Sequence, residues 1–201
     1  MAHFLSTDLL LWLIPAIPFV AFVLIALAAF RSRKLSHSIA LAGAGFSFIA
    51  SMVVIWRSLQ VPELAKNPFS NQIQWLPTGN TWLQIGVQAD PLTVVTLGFV
   101  AVTILMIFIY SIGYHNFGAP EGKSDIPGLP PKGVEVEHEG YVHRVPSVEP
   151  LYARFFALIS LFAFAMFLLV VSDNLLGLYI GWEIMGLCSY LLIGFWYGKE
   201  S

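Results

Sequence analysis

The sequence predicts an all-α membrane protein: five transmembrane helices, with short β-hairpins in the outer and inner loops. Three observations predict it. Hydrophobic residues make up 57% of the 201-residue chain, against roughly 45–50% in an ordinary soluble domain, and the mean hydropathy is +0.76. Charged residues make up 11%, less than half of the usual quarter or so. Finally, the charges cluster and leave long uncharged runs, each about long enough to cross a ~30 Å hydrocarbon core as a helix.

The runs set the elements in order. No charge falls between Leu9 and Phe30, between Leu35 and Trp56, between Pro91 and Tyr114, or between Phe155 and Ser172. The last run, Asn174 to Tyr197, holds one, Glu183. Spans are therefore expected near 9–30, 36–57, 89–114, 151–171 and 175–197. Continuous rather than alternating apolar residues argue against a barrel. Pro15 and Pro18 are expected to bend the first helix. This helix reads as a retained span, since its leader carries no positive charge and its apolar stretch exceeds a typical signal h-region. Only Ser172-Asp173-Asn174 separates the last two runs, and Asp and Asn favour turns and helix caps, so these spans form a tight hairpin. Residues 1–58 thus hold two helices, 59–88 an outer loop, 89–114 the third helix, 115–150 an inner Pro/Gly-rich loop, and 151–201 the helical hairpin.

Lysine and arginine set the expected orientation. None precedes the first helix, and Arg31, Arg33 and Lys34 follow it. Lys123, Lys132 and Arg144 fall in the 115–150 loop, and the 59–88 loop carries only Lys66. The N-terminus is then outside and the C-terminus cytoplasmic, in a multi-pass protein of a bacterial plasma membrane or an equivalent energy-coupling membrane. Arg57 dissents mildly at an outer helix end, where it can snorkel.

Both loops alternate polar and apolar residues. Gln72 to Leu76 and Trp82 to Val87 flank Pro77-Thr78-Gly79-Asn80, a hairpin pattern. Trp75 and Trp82 suit a membrane interface, and the hairpin is either a connector or a docking element for a neighbouring subunit. In the inner loop, Val134 to Val145 suggests a second hairpin after an extended Pro/Gly lead-in. Glu137, His138, Glu139 and His143 match no zinc spacing, and adjacent strand residues point to opposite faces. A solvated polar hairpin without metal is expected.

Glu183 carries the functional argument. It lies about 12 Å along the fifth helix, well inside the hydrocarbon. A charge there costs roughly 2.5–3.5 kcal/mol on insertion scales, so the carboxylate needs a cationic partner, a wet cavity or a proton. Each suits a proton relay; the alternative is a permanently neutral Glu bonded to a neighbouring helix. Tyr179, Gly186 and Tyr190 share its face at helical spacing. Gly177 and Gly181 form a GxxxG that admits a close helix neighbour. Cys188 and Ser189 add small polar groups. No basic residue of any span lies deep enough to pair with Glu183, so its partner is expected from outside these five helices.

Other chemistries find no foothold. Ten Lys and Arg against twelve Asp and Glu leave no basic surface for nucleic acid. Cys188 is the only cysteine, so a disulfide scaffold is excluded. No phosphate-binding glycine loop, hydrolase triad or intramembrane histidine pair is present. His37 reads as interfacial.

Several motifs are specific enough to carry a resemblance. Arg154-Phe155-Phe156-Ala157, Ser172-Asp173-Asn174-Leu175-Leu176, Gly181-Trp182-Glu183 and Gly186-Leu187-Cys188-Ser189-Tyr190-Leu191-Leu192-Ile193-Gly194-Phe195-Trp196-Tyr197 resemble the antiporter-like subunit L, or chain 5, of proton-pumping NADH:quinone oxidoreductase, respiratory complex I. Asp90 with Leu92, and Tyr110-Ser111-Ile112-Gly113-Tyr114, resemble it too. The resemblance runs over nearly the whole chain, is strongest over 151–197, and covers the N-terminal portion of a family member only.

The resemblance implies that Glu183 takes the part of the family's protonatable glutamate in the proton path. There it works with a lysine on a later broken helix and a relay of lysines and histidines, all beyond Ser201. It implies a fragment or one piece of a split subunit. The expected partners are the other complex I membrane subunits, including antiporter-like chains or the remainder of a split subunit, and membrane lipids. Flavin, iron–sulfur clusters and quinone are expected in partner subunits, with no cofactor in this chain. The inner loop is longer than the turn usual in the family. Two other readings stay open: a subunit of a multi-subunit cation/proton antiporter or inorganic-carbon transporter, and a structural fragment with no transport of its own.

Overall fold

A computed structural model describes residues 6–138 and 141–199. Among them, five helices are long and apolar enough to cross a membrane. Helix α1 spans Thr7–Leu24 and runs on through a π-helical turn, Ile25–Ala29. It is followed by α2 (Arg33–Ser58), strands β1 (Phe69–Thr78) and β2 (Thr81–Ala89), and α3 (Pro91–Tyr114). Strands β3 (Val134–His138) and β4 (Tyr141–Val145) precede α4 (Tyr152–Val171) and α5 (Leu175–Ile193).

Polar residues mark the helix starts. Ser6, Ser32, Asp90 and Asn174 each accept a hydrogen bond from a backbone N–H two or three residues into their helix, leaving fewer orphan donors. Asp90 caps α3 through the Thr93 N–H at 2.7 Å, with Pro91 at the first helical position, where its missing N–H does no harm. The fifth helix stops at Ile193, earlier than the apolar run suggests, because Gly194 forms its C-cap and the chain turns.

The two prolines of α1 do not end it. Pro18 has no N–H, so the Ile14 carbonyl lacks its normal helical donor. Ser47 of α2 supplies one, its buried Oγ donating to the Ile14 oxygen at 2.8 Å. A neighbouring hydroxyl thus satisfies a backbone group that neither water nor the helix itself could reach.

Helix α4 is central, packed on α1, α2, α3 and α5. Its buried Phe156, Ala163, Phe167 and Val171 meet Leu11, Ile14, Val54, Leu97 and Phe108 of the surrounding helices in one core. Helix α5 packs chiefly on α4. Gly181 permits this: a Cβ there would stand 3.0 Å from the Ala165 oxygen and the Leu169 nitrogen, so any side chain would push the helices apart.

Both hairpins form as antiparallel pairs. In the first, Phe69 pairs with Ala89 and Thr78 with Thr81, with a bulge at Trp75 and Gly79 at φ +72 in the turn. Its base is clamped to the α4–α5 turn. The Asp173 N–H donates to the Gly86 oxygen at 3.2 Å, and Asn174 Nδ2 donates to the Gln84 oxygen at 3.0 Å. Gln72 Nε2 donates to Asp173 Oδ2 at 2.6 Å. A methyl group at Gly86 would overlap the Asp173 carboxylate. The tip is free: Ile73, Trp75, Leu76 and Trp82 are all at least half exposed. In the second hairpin, Val134 pairs with Val145 and Glu137 with Val142.

Candidate functional site

Glu183 stands near the middle of α5, and its position follows from how α5 packs. The buried residues of α5 are Gly177, Gly181 and Cys188, a narrow strip against α4. Glu183 lies two residues past Gly181, about 200° around the helix, on the opposite side. Glu183 is exposed on the free face of α5, open to a partner from outside these five helices. The reason is the strip of small residues: with Gly177, Gly181 and Cys188 against α4, Glu183 falls on the far side of the helix.

Around Glu183 lies an open groove of about 430 Å³, lined by Trp182, Met185, Gly186, Leu187 and Ser189. Tyr179 stands one turn earlier on the same exposed face. Tyr190 of the predicted face is 73% exposed, so the whole stripe is presented outward. Ser189 donates back to the Met185 oxygen at 2.9 Å and closes its own helix bond. Cys188 is a free thiol, buried towards α4 and away from the groove. Among the described residues the ion pairs are Arg33–Glu121 at 3.0 Å and Lys66–Glu63 at 2.9 Å, neither on α5. The groove thus holds one acid in a mostly apolar wall, with Tyr179 one turn away along the helix.

A second acid is fully buried, and sequence reasoning missed it. Glu149, 1% exposed, sits just before α4. Its Oε1 accepts from the Leu151 N–H at 3.2 Å and its Oε2 from Trp196 Nε1 at 3.1 Å. Its own N–H donates to the His115 oxygen at 3.3 Å. One residue thereby joins the C-terminal ends of α3 and α5 to the start of α4. His115, the C-cap of α3, is 4% exposed, with its ring 3.9 Å from that of Phe155 and its Nε2 unpartnered. Burial among aromatic rings pushes the imidazole down to about 4, so it is neutral at pH 7. His115, Asn116, Ser147, Glu149 and Trp196 line a cavity of about 250 Å³ at this end of the bundle. The signal available in the sequence was slight: an acid three residues before a helix, in a segment that read as a polar loop.

His37 lies in the first turns of α2, where its Nδ1 and the Tyr152 hydroxyl are 3.2 Å apart and its ring meets Phe117 edge-on. It links α2 to α4. Arg57 reaches Thr7 Oγ1 at 3.3 Å at the hairpin end. No group of three or more His, Cys, Asp or Glu is gathered for a metal among the described residues. Glu139 and the side chain of His138 lie outside them. Glu137 and His143 stand on the two strands of the β3–β4 hairpin, paired with Val142 and Val136 rather than with each other.

Two family models match. One, described as the N-terminus of chain 5 of NADH-ubiquinone oxidoreductase (complex I), covers residues 75–115. The other, described as the transmembrane part of NADH:quinone oxidoreductase and Mrp antiporters, covers residues 172–201. Similar proteins include the chloroplastic NAD(P)H-quinone oxidoreductase subunit 5 of Mesostigma viride, 33% identical over 94% of this chain and 25% of its own length. That of Nephroselmis olivacea is 33% identical over 95% of this chain and 25% of its own length. Chain 5 of Synechocystis sp. is 29% identical over 96% and 24%. The chain is homologous to the N-terminal portion of complex I chain 5. It spans about a quarter of the length of the curated relatives it matches. Within the complex I chain 5 pattern, the first match runs from the free tip of the β1–β2 hairpin through α3 to His115. The second runs from the clamped Ser172–Asn174 turn along all of α5, Glu183 included.

Proposed function

We propose that the chain is part of a membrane-arm subunit of a proton-translocating NAD(P)H-quinone oxidoreductase, and that Glu183 is a proton-relay residue in it. The observation that carries this reading is the placement of one carboxylate near mid-span, on a helix face left open by its own chain. Ionisable groups at such depth are expensive and belong to ion paths by default. Facing a groove with Tyr179 at hand, Glu183 can accept a proton from one side and release it to a basic group or water delivered by a neighbouring helix. A family resemblance and the homologous relatives support the same assignment. In this reading the N-terminus is outside and the C-terminus cytoplasmic, the other complex I membrane subunits are partners, and flavin, iron–sulfur clusters and quinone belong to partner subunits. This chain then acts on protons rather than electrons.

The test is Glu183→Gln in the assembled complex. The amide keeps size and polarity but cannot carry a proton between groups. Proton pumping by energised membrane vesicles is expected to fall at least tenfold (about 1.4 kcal/mol per factor of ten), with Glu183→Asp retaining part of it. Unchanged pumping with Gln would leave the chain a structural element. The Mrp-type antiporter reading has the second family match in its favour. Co-purification separates the two: quinone reductase subunits are expected with the chain, and recovery with antiporter subunits alone would overturn the oxidoreductase assignment.

A further inference from the structure

At the end of the bundle opposite the β1–β2 hairpin, three arginines converge on one cavity. Arg31, Arg33 and Arg154 line a pocket of about 150 Å³ together with Phe30, Leu151 and Tyr152. The pocket lies between the end of α1, the start of α2 and the start of α4. Arg33 has a carboxylate partner, Glu121, at 3.0 Å. Arg154 has its guanidinium 5.7 Å from the centre of the Tyr197 ring, and no acid pairs with it among the described residues. Arg31 is exposed. Two of the three arginines therefore line the pocket with no acid paired to them among the described residues.

We infer that this pocket holds the phosphate headgroup of an anionic phospholipid. Guanidinium groups match phosphate oxygens with paired N–H donors, which gives them direction as well as charge. The surface beside the pocket supplies the rest of a lipid's chemistry. Phe30 at its rim is 53% exposed, and Leu27, three residues earlier, is 83% exposed. Leu24 and Leu35 are also exposed. Acyl chains can lie along this apolar edge while the headgroup sits among the arginines, at the depth where a basic pocket between helices meets a lipid surface. A free phosphate would use the arginines alone and leave the apolar edge without a role. This inference stands apart from the role of Glu183.

The test uses the full chain purified from membranes in mild detergent, with lipid binding read by native mass spectrometry. Phosphatidylglycerol is expected to bind at least about tenfold more tightly than phosphatidylcholine. The pair Arg31→Gln with Arg154→Gln should bring the two lipids within about twofold, while Lys123→Gln with Lys132→Gln, which removes the same charge elsewhere, keeps the preference. Arg31→Gln alone, at an exposed position with no packing to lose, should lower the preference about threefold and guards against a misfolded double variant. Equal binding of the two lipids, or a preference that survives the arginine variants, overturns the inference. Displacement of phosphatidylglycerol by equimolar inorganic phosphate overturns the lipid as its source.

Discussion

His115 shows how burial sets a single residue's chemistry. In the unfolded chain an imidazole titrates near 6.5, and in the fold burial holds it near 4. Between those values the unfolded chain binds the extra proton and the folded chain does not, so stability rises with pH across that window. The contribution is complete above about pH 6.5 and is lost as pH falls towards 4, approaching about 3 kcal/mol at 1.4 kcal/mol per pH unit. Thermal melting in detergent is expected to drop across this window, and His115→Phe, which keeps an aromatic ring, should flatten that part of the profile. An unchanged profile in the variant would place the acid sensitivity elsewhere. Neither His115 nor Glu149 was legible as a site in the sequence. Their burial depends on three helix ends meeting, and no local pattern in a Pro/Gly-rich segment encodes that. Glu183 was legible, because a lone acid in an apolar run violates the composition of its own helix. Which strip of α5 packs on α4 and so leaves Glu183 facing out was not.

The starts of single helices were more legible than their ends. Asn174 reads as the cap of the last helix and forms it, because a capping side chain acts on the residues directly after it. Less legible was the remedy for Pro18, since it comes from a serine on another helix. Ser47→Ala should destabilise the α1–α2 pair by about 1 kcal/mol, the middle of the range between an unsatisfied buried carbonyl and an average hydrogen bond in a membrane protein. Pro18→Ala restores the missing N–H, so the loss on Ser47→Ala should largely vanish in that background. A double-mutant cycle on unfolding in mixed micelles measures the coupling; a coupling of zero would mean the Ile14 carbonyl is satisfied otherwise. At Gly181 the same logic runs through space rather than hydrogen bonds. The α4 backbone is close enough that the absent side chain is what sets the α5 position, and with it the direction of Glu183.

At the scale of the whole molecule, charge placement exposed the five spans and polar–apolar alternation the two hairpins, and the fold agrees. Which faces pack was hidden, because in apolar helices the buried and the lipid-facing sides have nearly the same composition. The direction of insertion is the remaining global property, and it rests on lysine and arginine. The ends of α1, α3 and α5 and the starts of α2 and α4 gather at one end of the bundle with Arg31, Arg33, Lys123 and Lys132. The β1–β2 hairpin and the Ser172–Asn174 turn gather at the other, near Lys66. The positive end should face the cytoplasm. Cys188 is buried, so a Cys188→Ser background removes the one native thiol at little cost in surface chemistry. In that background Lys66→Cys should react with a membrane-impermeant maleimide in intact cells, and Lys123→Cys only after the cells are opened. Both lysines are exposed, so access to either is limited by the membrane rather than by the fold. The reverse labelling pattern would invert the chain and place the arginine pocket at the outer leaflet.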